Sequence, residues 1–322
     1  MTLKQPNGND KTIKKIVILG AGVQGTVFGV RLAQKGHEVT LVARPGRANE
    51  LRQFGATIQN VETSERSTVF LPVLESLPAD SSADLCLITV RREQIATVLP
   101  DLARATAIRR IVFLANHANG SEDIFALLGR SRAVIAFPGV AGNTECGIVR
   151  YVEIPQQPTA VESNAPDIAS LFRQAGFRVD EVKDMDAWLC RHAVFITAIV
   201  GALYENGCNA GRLARNREAV RGFICAVREG WAALDEKGLP SAPFAVRTIL
   251  CWVPLRLSVT YWCKLLASQR GDLYFADHAR HAPAEMAALA IDVRTFANEL
   301  EAPGLNQLLG AIDQWQTKDV IQ

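Results

Sequence analysis

One glycine-rich loop constrains this chain more than any other feature. The loop Gly20-Ala21-Gly22-Val23-Gln24-Gly25 follows a short β-branched run at Lys15 to Leu19 and opens an apolar-periodic stretch at Val23 to Gln34. Glu38 to Ala43 then has the pattern of a second strand, which completes a strand, helix and strand unit of about 30 residues. In this setting the first glycine permits a tight turn, the second lets backbone approach a pyrophosphate, and the third lets helix pack on strand. The sequence therefore predicts a dinucleotide-binding unit at its N-terminal end.

The end of the second strand indicates which dinucleotide the unit would bind. NAD sites normally carry an acidic residue there for the ribose 2′-hydroxyl, whereas an arginine accommodates a 2′-phosphate. Here Arg44 lies nineteen residues beyond Gly25, and Arg47 is a second cation close by. We therefore expect NADP(H) as the cofactor. The alternatives are that Arg44 is an ordinary solvated arginine and that the loop is only a glycine-rich turn.

Strand and helix patterns alternate as far as residue 182, and helical periodicity dominates after it. Further strands are expected at Asp84 to Val90, Arg110 to Leu114, Ala133 to Phe137 and Phe177 to Val182, with helices near Glu93 to Arg104 and Glu122 to Leu128. Later helices are expected at Asp186 to Tyr204, Glu218 to Lys237, Ala284 to Leu300 and Leu305 to Gln316. The chain is thus predicted to be an α/β protein. Residues 13–182 would form a Rossmann-type domain with a doubly wound, mainly parallel sheet, and residues 183–322 an all-helical domain.

Composition limits the range of partners. The chain is 48% hydrophobic and 21% charged with a formal net charge of +2, so we expect no nucleic-acid partner. Its seven cysteines form no C-x-x-C pair and no zinc spacing, which favours reduced, buried thiols, no metal site and a cytoplasmic location. Pro254, Arg256 and Lys264 interrupt the apolar segment Val246 to Ser268, so we expect no membrane span. Residues 1–12 are expected to form a loose leader.

Several motifs together resemble the ketopantoate reductase (2-dehydropantoate 2-reductase) family. They are G-A-G-V-Q-G, L-V-A-R-P, L-I-T-V-R after the middle strand, A-N-H-A-N-G after the next strand, Ala187-Trp188 in the first late helix, and A-E-M at Ala284 to Met286. The resemblance covers nearly the whole chain. It implies an NADPH-dependent enzyme that reduces a 2-keto acid or a related small carbonyl compound to the hydroxy compound. The reaction would take place in a cleft between the Rossmann domain and the helical domain, and a homodimer is one possible assembly.

Transferred position by position, the resemblance implies a set of cofactor-binding residues: Gly20, Ala21, Gly22, Val23, Gln24, Gly25, Arg44, Arg91, Asn116 and Glu285. Arg91 stands where the family has a lysine and keeps the positive charge. Asn116 matches an asparagine that helps to hold cofactor and substrate. Glu285 matches a glutamate that reaches back from the helical domain to the cofactor. Without the resemblance, Glu285 would be interpreted as a solvated helix carboxylate.

The helix that carries the family's catalytic residues departs from the family pattern. The family shows Trp-x-Lys followed at helical spacing by two substrate-binding asparagines. An ungapped match anchored on Trp188 places Cys190 at the lysine, and Val194 and Ala198 at the asparagines. Leu273 stands at the family's substrate-binding serine, twelve residues before the glutamate. These changes replace polar groups by apolar ones and imply a substrate other than ketopantoate, less dependent on hydroxyl hydrogen bonds.

Because the family's lysine is missing, several side chains are candidates for the group that protonates the alkoxide formed by hydride addition. Cys190 has the right position, but a thiol with its usual pKa near 8.5 is an indifferent acid. Arg191 stays charged and could clamp a substrate carboxylate instead. His192 can titrate, but two residues correspond to about 200° around a helix, which favours a direction away from the site. His117, beside Asn116, is a further candidate. We predict Arg191, His192 and Cys190 as the catalytic set, with packed or solvated helix residues as the alternative.

Two other functions remain open from the sequence. The first is an NADP-binding protein that has lost its chemistry and acts as a sensor or through protein contacts. The second is a 3-hydroxyacid or glycerol-phosphate type dehydrogenase, which shares the two-domain plan. That class would need a lysine near the start of the first late helix with asparagines after it, and this helix has neither. The segment Trp252 to Trp262 could line a pocket or cover a dimer interface, although ordinary helix core is the preferred interpretation.

Overall fold

The strands and helices follow the chain order expected of alternating α/β units. The computed structural model describes residues 13–116, 118, 120–239, 243–297 and 302–319, so the predicted leader and His117 lie outside the described residues. The strands are Lys15–Leu19 (β1), Glu38–Val42 (β2), Ala56–Asn60 (β3), Arg66–Val69 (β4), Val73–Leu74 (β5), Ala83–Ile88 (β6), Ile108–Leu114 (β7), Ala133–Phe137 (β8), Val140–Glu145 (β9), Ile148–Glu153 (β10), Thr159–Glu162 (β11) and Val179–Val182 (β12).

Every described element beyond β12 is helical. The α-helices are Val23–Gln34 (α1), Pro45–Phe54 (α2), Ile95–Arg104 (α3), Glu122–Leu128 (α4), Pro166–Gln174 (α5), Met185–Glu205 (α6), Ala210–Arg215 (α7), Arg217–Glu236 (α8), Phe244–Arg247 (α9), Leu255–Leu266 (α10), Gln269–Gly271 (α11), Asp277–His281 (α12), Pro283–Ala297 (α13) and Pro303–Asp319 (α14). A 3₁₀ turn lies at Arg92–Gln94, and π-helical turns lie at Thr248–Trp252 and Asp272–Ala276. The last three residues of the predicted helix Ala284 to Leu300 lie outside the described residues.

The main sheet has eight strands in the order β12-β11-β8-β7-β6-β1-β2-β5. Neighbouring strands run parallel except β11 and β8, which are antiparallel. Strand β1 lies between β2 and β6, so the chain reverses its direction of travel across the sheet there. In open α/β sheets, ligands bind in the crevice outside the carboxyl ends of the strands at such a point. The predicted fold class, a doubly wound and mainly parallel sheet with a helical C-terminal region, is confirmed.

A second sheet of four strands, in the order β4-β3-β10-β9, was not predicted. Strands β9 and β10 form a hairpin whose two turn residues, Cys146 and Gly147, have φ angles of 47° and 79°. Both angles match a tight hairpin turn, which places the Cys146 side chain in solvent. The expectation of buried thiols is therefore wrong for Cys146. It holds for Cys86, Cys190 and Cys208, whereas the other three cysteines are partly exposed.

Helix α6 forms the centre of the helical region. A Cβ on its Gly201 would lie 2.3 Å from the Leu308 carbonyl oxygen of α14, so glycine allows these two helices to pack closely. Helix α6 is long and apolar enough to cross a membrane by length and composition, but 94% of its most apolar window is buried inside the protein. That burial is typical of a core helix. Met185, Trp188 and Leu189 of its first turns pack in the buried cluster of the main sheet.

One buried ion pair joins the sheet region to the late helices. The Arg92 guanidinium donates two hydrogen bonds of 2.6 Å to the carboxylate of Asp292 in α13. Asp292 is buried, so its charge depends on this bidentate partner. The pair sets the position of α13 against the residues that follow β6.

We expect Asp292→Ala to lower the free energy of unfolding by about 3 kcal/mol, because it leaves the Arg92 guanidinium without its partner. Urea denaturation measures the change. The control, Glu75→Ala, breaks the exposed Arg52–Glu75 pair and should cost less than about 1 kcal/mol. Equal effects of the two substitutions would show that the buried pair has no special role in stability.

Candidate active site

The glycine loop between β1 and α1 adopts the tight turn that its sequence predicts. Gly20 has a φ of 108°, a conformation that favours glycine, and its N–H donates to the Val42 carbonyl at 3.0 Å. A Cβ on Gly25 would lie 1.9 Å from the Gly20 carbonyl oxygen, so only glycine permits this approach of α1 to β1. A Cβ on Gly22 would meet nothing within 4 Å. Gly20 and Gly25 therefore hold the loop together, whereas Gly22 leaves space beside it.

The ends of β6 and β7 supply the next residues at the switch point. The Thr89 hydroxyl donates to the Gly20 carbonyl at 2.6 Å and supports the loop. Arg91 follows it, and its guanidinium donates to the His281 carbonyl of α12 at 3.3 Å. Asn116 follows β7, and its buried amide oxygen Oδ1 has no hydrogen-bond partner among the described residues. Strand ends and glycine loop thus meet at one edge of the sheet.

Two arginines follow the end of β2. Arg44 is exposed at the N-terminal end of α2, and its side chain makes no hydrogen bond or ion pair with any other described residue. Arg47, one turn later, donates from Nε to the Ala21 carbonyl of the glycine loop at 3.2 Å. Its guanidinium also pairs with Glu50 at 2.6 Å. Arg47 is therefore fixed against the loop, whereas Arg44 can move to meet a ligand.

A cleft of about 710 Å³ runs from the glycine loop to the late helices. Seven of the predicted site residues line it: Gly22, Val23, Gln24, Arg91, Asn116, His192 and Glu285. Gly20, Ala21 and Gly25 lie behind the lining and shape the loop, and Arg44, Cys190 and Arg191 are outside the lining. The structure thus brings residues from β1, β6, β7, α6 and α13 to one cavity.

Helix α6 presents His192, Phe195 and Ile196 to the cleft. These residues are three and four apart, which is the spacing of one helix face. Val194 and Ala198, which an ungapped match places at the family's asparagines, are fully buried in the core of the helical region. The face of α6 that meets the cleft therefore begins two residues beyond Cys190, at His192. The expectation that His192 turns away from the site is not met by its position.

The other two predicted catalytic residues point elsewhere. The fully buried Arg191 guanidinium donates to Asp235 Oδ1 at 2.6 Å and to the Leu239 carbonyl at 2.5 Å. These contacts hold the guanidinium against α8 and the residues after it. The geometry therefore does not support the prediction that Arg191 binds a substrate carboxylate. The Cys190 thiol donates to the Ala118 carbonyl at 3.2 Å. Burial, together with nearby aspartates, raises the pKa of Cys190 to about 12, which makes it a poor proton donor.

His192 is enclosed by aromatic rings. Its imidazole lies 4.3 Å from the Phe137 ring and stacks on Trp188 at 5.3 Å, measured between centroids. Burial, with a smaller contribution from nearby His278, lowers the pKa of His192 to about 3. At neutral pH the imidazole is therefore uncharged, and it can donate or accept a hydrogen bond without carrying the proton that an acid must release.

A second set of titratable groups lines the cleft from α12 and α13. The His278 Nε2 atom lies 3.6 Å from Glu285 Oε2, and His281 Nδ1 lies 3.4 Å from Asp277 Oδ1. Burial raises the pKa of Glu285, which nearby His278 partly offsets. Sequence reasoning found Glu285 and missed the other three. The run D-H-A-R-H at 277–281, close before the glutamate, was the available signal.

Apolar side chains complete the wall of the cleft on the helical side. Phe195, Trp262 and Phe275 pack on one another with ring centroids 5.6 to 6.0 Å apart. Leu273, at the family's serine position, also lines the cleft, so that position is apolar where the resemblance implies a polar contact. Within the segment 252–262, Trp262 is buried at the cleft, whereas Trp252 is 60% exposed. That segment therefore contributes one pocket wall, and its other end lies at the surface.

A nicotinamide dinucleotide, the group that the resemblance implies, fits these residues. Gly22 leaves open space where pyrophosphate would approach the backbone, and the first turn of α1 carries no acidic residue to oppose a phosphate. The Asn116 amide oxygen, which has no hydrogen-bond partner in the part of the chain that the structure describes, supplies an acceptor at the same edge of the sheet. Loop, helix terminus and acceptor together match the requirements of such a cofactor.

Comparisons with known proteins agree with this architecture. Residues 16–165 match the sequence profile of the family "Ketopantoate reductase PanE/ApbA". A 2-dehydropantoate 2-reductase of Archaeoglobus fulgidus is 26% identical over 214 residues, which are 65% of this chain and 68% of that protein.

Two solved structures share the fold over nearly their whole length. A PanE/ApbA family ketopantoate reductase from Ralstonia eutropha JMP134 has a TM-score of 0.73 at 20% identity, covering 94% of this chain and 99% of its own. D-mandelate dehydrogenase, in a ternary structure with NADH and anilino(oxo)acetate, has a TM-score of 0.70 at 15% identity, covering 94% and 98%.

A dinucleotide loop at the switch point of a parallel sheet, facing a helical region across a cleft, defines an NAD(P)-dependent oxidoreductase that acts on a CH-OH/C=O pair. Within that class, residues 16–165 match the ketopantoate reductase family, and the resemblance that the motifs indicated is confirmed.

Substitution of Gly22 should weaken cofactor binding, whereas substitution of Gly25 should lower the stability of the fold. We expect Gly22→Ala to leave stability nearly unchanged and to raise the dissociation constant for NADPH at least about tenfold, because the new methyl group occupies the space beside the phosphate. Gly25→Ala should instead lower the free energy of unfolding by about 2 kcal/mol or more, since its Cβ would collide with backbone. Fluorescence titration and urea denaturation measure both effects. Unchanged NADPH binding in Gly22→Ala would contradict the assigned cofactor position.

Proposed function

We propose that this protein uses NADPH to reduce a 2-keto acid, or a related small carbonyl compound, to the hydroxy compound. The cleft that joins the glycine loop to His192 on α6 and Glu285 on α13 is the observation that carries the proposal. A cofactor at the loop and a carbonyl substrate against the helices would meet in this single cavity. When bound, the reduced cofactor supplies the hydride.

The cofactor-binding residues we propose are Gly20 to Gly25, Arg44, Arg91, Asn116 and Glu285. The glycine loop would accept the pyrophosphate at the start of α1. Arg91 and Glu285 lie on the two sides of the cleft, where they can hold the cofactor between the sheet and the helices. We place the domain boundary between residues 182 and 183, so that these two residues belong to different domains.

The choice of NADPH rests on the arginines after β2. No carboxylate stands at the end of this strand to hold a ribose 2′-hydroxyl, and Arg44 follows it directly. Arg44 is exposed with no partner among the described residues, and Arg47 fixes a second guanidinium against the glycine loop. The Arg44 guanidinium, which has no partner among the described residues, favours a 2′-phosphate at the adenosine end of the site, whereas Arg47 is already paired with Glu50.

Arg44→Ala should raise the KM for NADPH at least about tenfold and leave the KM for NADH nearly unchanged, because only NADPH carries the phosphate that the guanidinium would bind. Steady-state kinetics with each cofactor measure the two constants. Arg52→Ala on the same helix is the matched control, since Arg52 is paired with Glu75 at the surface. Equal losses with both cofactors would refute a 2′-phosphate contact.

His192 and His278 divide the roles that the family assigns to a lysine. Because His192 is neutral and lines the cleft, we assign it a hydrogen bond to the substrate carbonyl oxygen that polarises the C=O bond. His278 lines the same cleft, lies beside Glu285, and is partly open to solvent, from which it can regain a proton. We assign His278 the proton that the alkoxide oxygen takes up.

Substitution of His192 or His278 should lower kcat, whereas substitution of a histidine outside the cleft should not. We expect His192→Phe, which keeps a ring between Phe137 and Trp188, and His278→Gln each to lower kcat about a hundredfold, with NADPH binding largely retained. His37→Gln is the control, because His37 contacts the Ile13 carbonyl remote from the cleft. Undiminished kcat in both cleft variants would remove these residues from the mechanism.

NADPH oxidation across a panel of 2-keto acids and other small carbonyl compounds, followed by absorbance, tests the proposed function. Tight NADPH binding without oxidation by any compound would overturn it and favour the sensor alternative.

We also propose a homodimer, which sedimentation would measure. Phe244 and Trp252 form an exposed aromatic pair with centroids 5.7 Å apart that such an interface could cover.

A further inference from the structure

The charges that line the cleft are mostly negative. Glu145, Asp277 and Glu285 contribute carboxylates, whereas Arg91 is the only lysine or arginine among the described lining residues. Two of these carboxylates have arginine partners outside the lining, Arg150 for Glu145 at 2.7 Å and Arg280 for Asp277 at 3.4 Å. Arg91 follows β6 on the sheet side, and its guanidinium reaches across to donate to the His281 carbonyl of α12. The helices themselves contribute no lysine or arginine to the described lining of the cleft.

The histidines of the cleft do not change this balance. His278 lies 3.6 Å from Glu285, and His281 lies 3.4 Å from Asp277, so a proton on either ring is matched by a carboxylate already present. His192 is kept uncharged by its burial. None of the three offers an unmatched positive charge to a ligand.

The wall opposite the sheet is mainly apolar, and Tyr261 and Tyr274 add hydroxyl groups to it. It is formed by Phe195 and Ile196 of α6, Ile249 of the first π-helical turn, Trp262 and Leu265 of α10, and Leu273 of the second π-helical turn. The packed rings of Phe195, Trp262 and Phe275 make this wall rigid. Leu273 and Ile196 are half-buried, so their side chains contribute to the accessible lining.

A substrate carboxylate against the helical wall would lose its hydration without gaining a cation from that wall, and it would lie near Asp277 and Glu285. A neutral group with an apolar substituent has neither cost and gains contact with the rings. Building on the proposed function, we infer that the substrate is a neutral ketone or aldehyde with an apolar, ring-sized substituent and no carboxylate.

The reaction balances without a further reactant. The hydride from NADPH forms the new C–H bond at the carbonyl carbon, and the electron pair of the C=O π bond moves to oxygen. That oxygen takes the proton assigned to His278, and water restores it. The products are the neutral secondary or primary alcohol and NADP⁺.

Neutral esters compared with their parent keto acids test this inference. Initial rates of NADPH oxidation are measured for methyl benzoylformate against benzoylformate, and for ketopantolactone against ketopantoate. We expect kcat/KM to be at least about tenfold higher for the neutral member of each pair. Higher kcat/KM for the acids overturns the inference and leaves the proposed function intact. No oxidation with any of the four, while NADPH binds, overturns both.

A lysine placed in the apolar wall tests whether this wall causes the preference for neutral substrates. We expect Leu273→Lys to shift the ratio of kcat/KM for acid over ester at least about tenfold toward the acid. Leu257→Lys on α10 is the control, because Leu257 is 61% exposed and outside the lining, so the ratio should not move. NADPH titration of each variant verifies that it has folded. An unchanged ratio in folded Leu273→Lys overturns the assignment of the wall as the determinant.

Discussion

The close contact between Gly25 and the Gly20 carbonyl oxygen determines where the rest of the site can form. It brings the N-terminal end of α1 against β1 at the switch point of the sheet. Because β6 and β7 run parallel to β1, their carboxyl ends deliver Thr89, Arg91 and Asn116 to the same edge. A side chain at Gly25 would push the helix away, and the loop, the helix terminus and these residues would no longer face one cavity.

Helix α6 explains how a divergent member of the family can keep its cleft. Its first turns pack on the sheet, and its middle contacts both the cleft and the helical core. Successive residues of this helix therefore contact different parts of the protein. Arg191 turns to Asp235 on α8, whereas His192, about 100° further around the helix, turns to Phe137 and the cleft. His192 therefore lines the cavity, although the lysine that the resemblance implies is absent.

Burial controls the protonation of the groups in the cleft. It lowers the pKa of His192, which keeps that imidazole uncharged at neutral pH, and it raises the pKa of Glu285, which nearby His278 partly offsets. The exposed ends of His278 and His281 stay in contact with solvent and lie beside carboxylates. The uncharged His192 imidazole and the mainly apolar wall therefore lie in the same cleft.

The sequence by itself determined the parallel sheet, the glycine loop and the helical character of the second half, because these depend on local periodicity and on glycine spacing. Helix α1, helix α4 and strand β8 begin and end where their patterns predict. The small second sheet escaped prediction because its short strands are half-polar and its two local strand pairs, β3–β4 and β9–β10, are joined only by the long-range pairing of β3 with β10. Only the tertiary structure decided which residues of α6 and α12 meet the cleft. Nearly every side chain of α6 is buried, so hydropathy could not tell cleft from core, and the neighbours that separate Arg191 from His192 lie far along the chain.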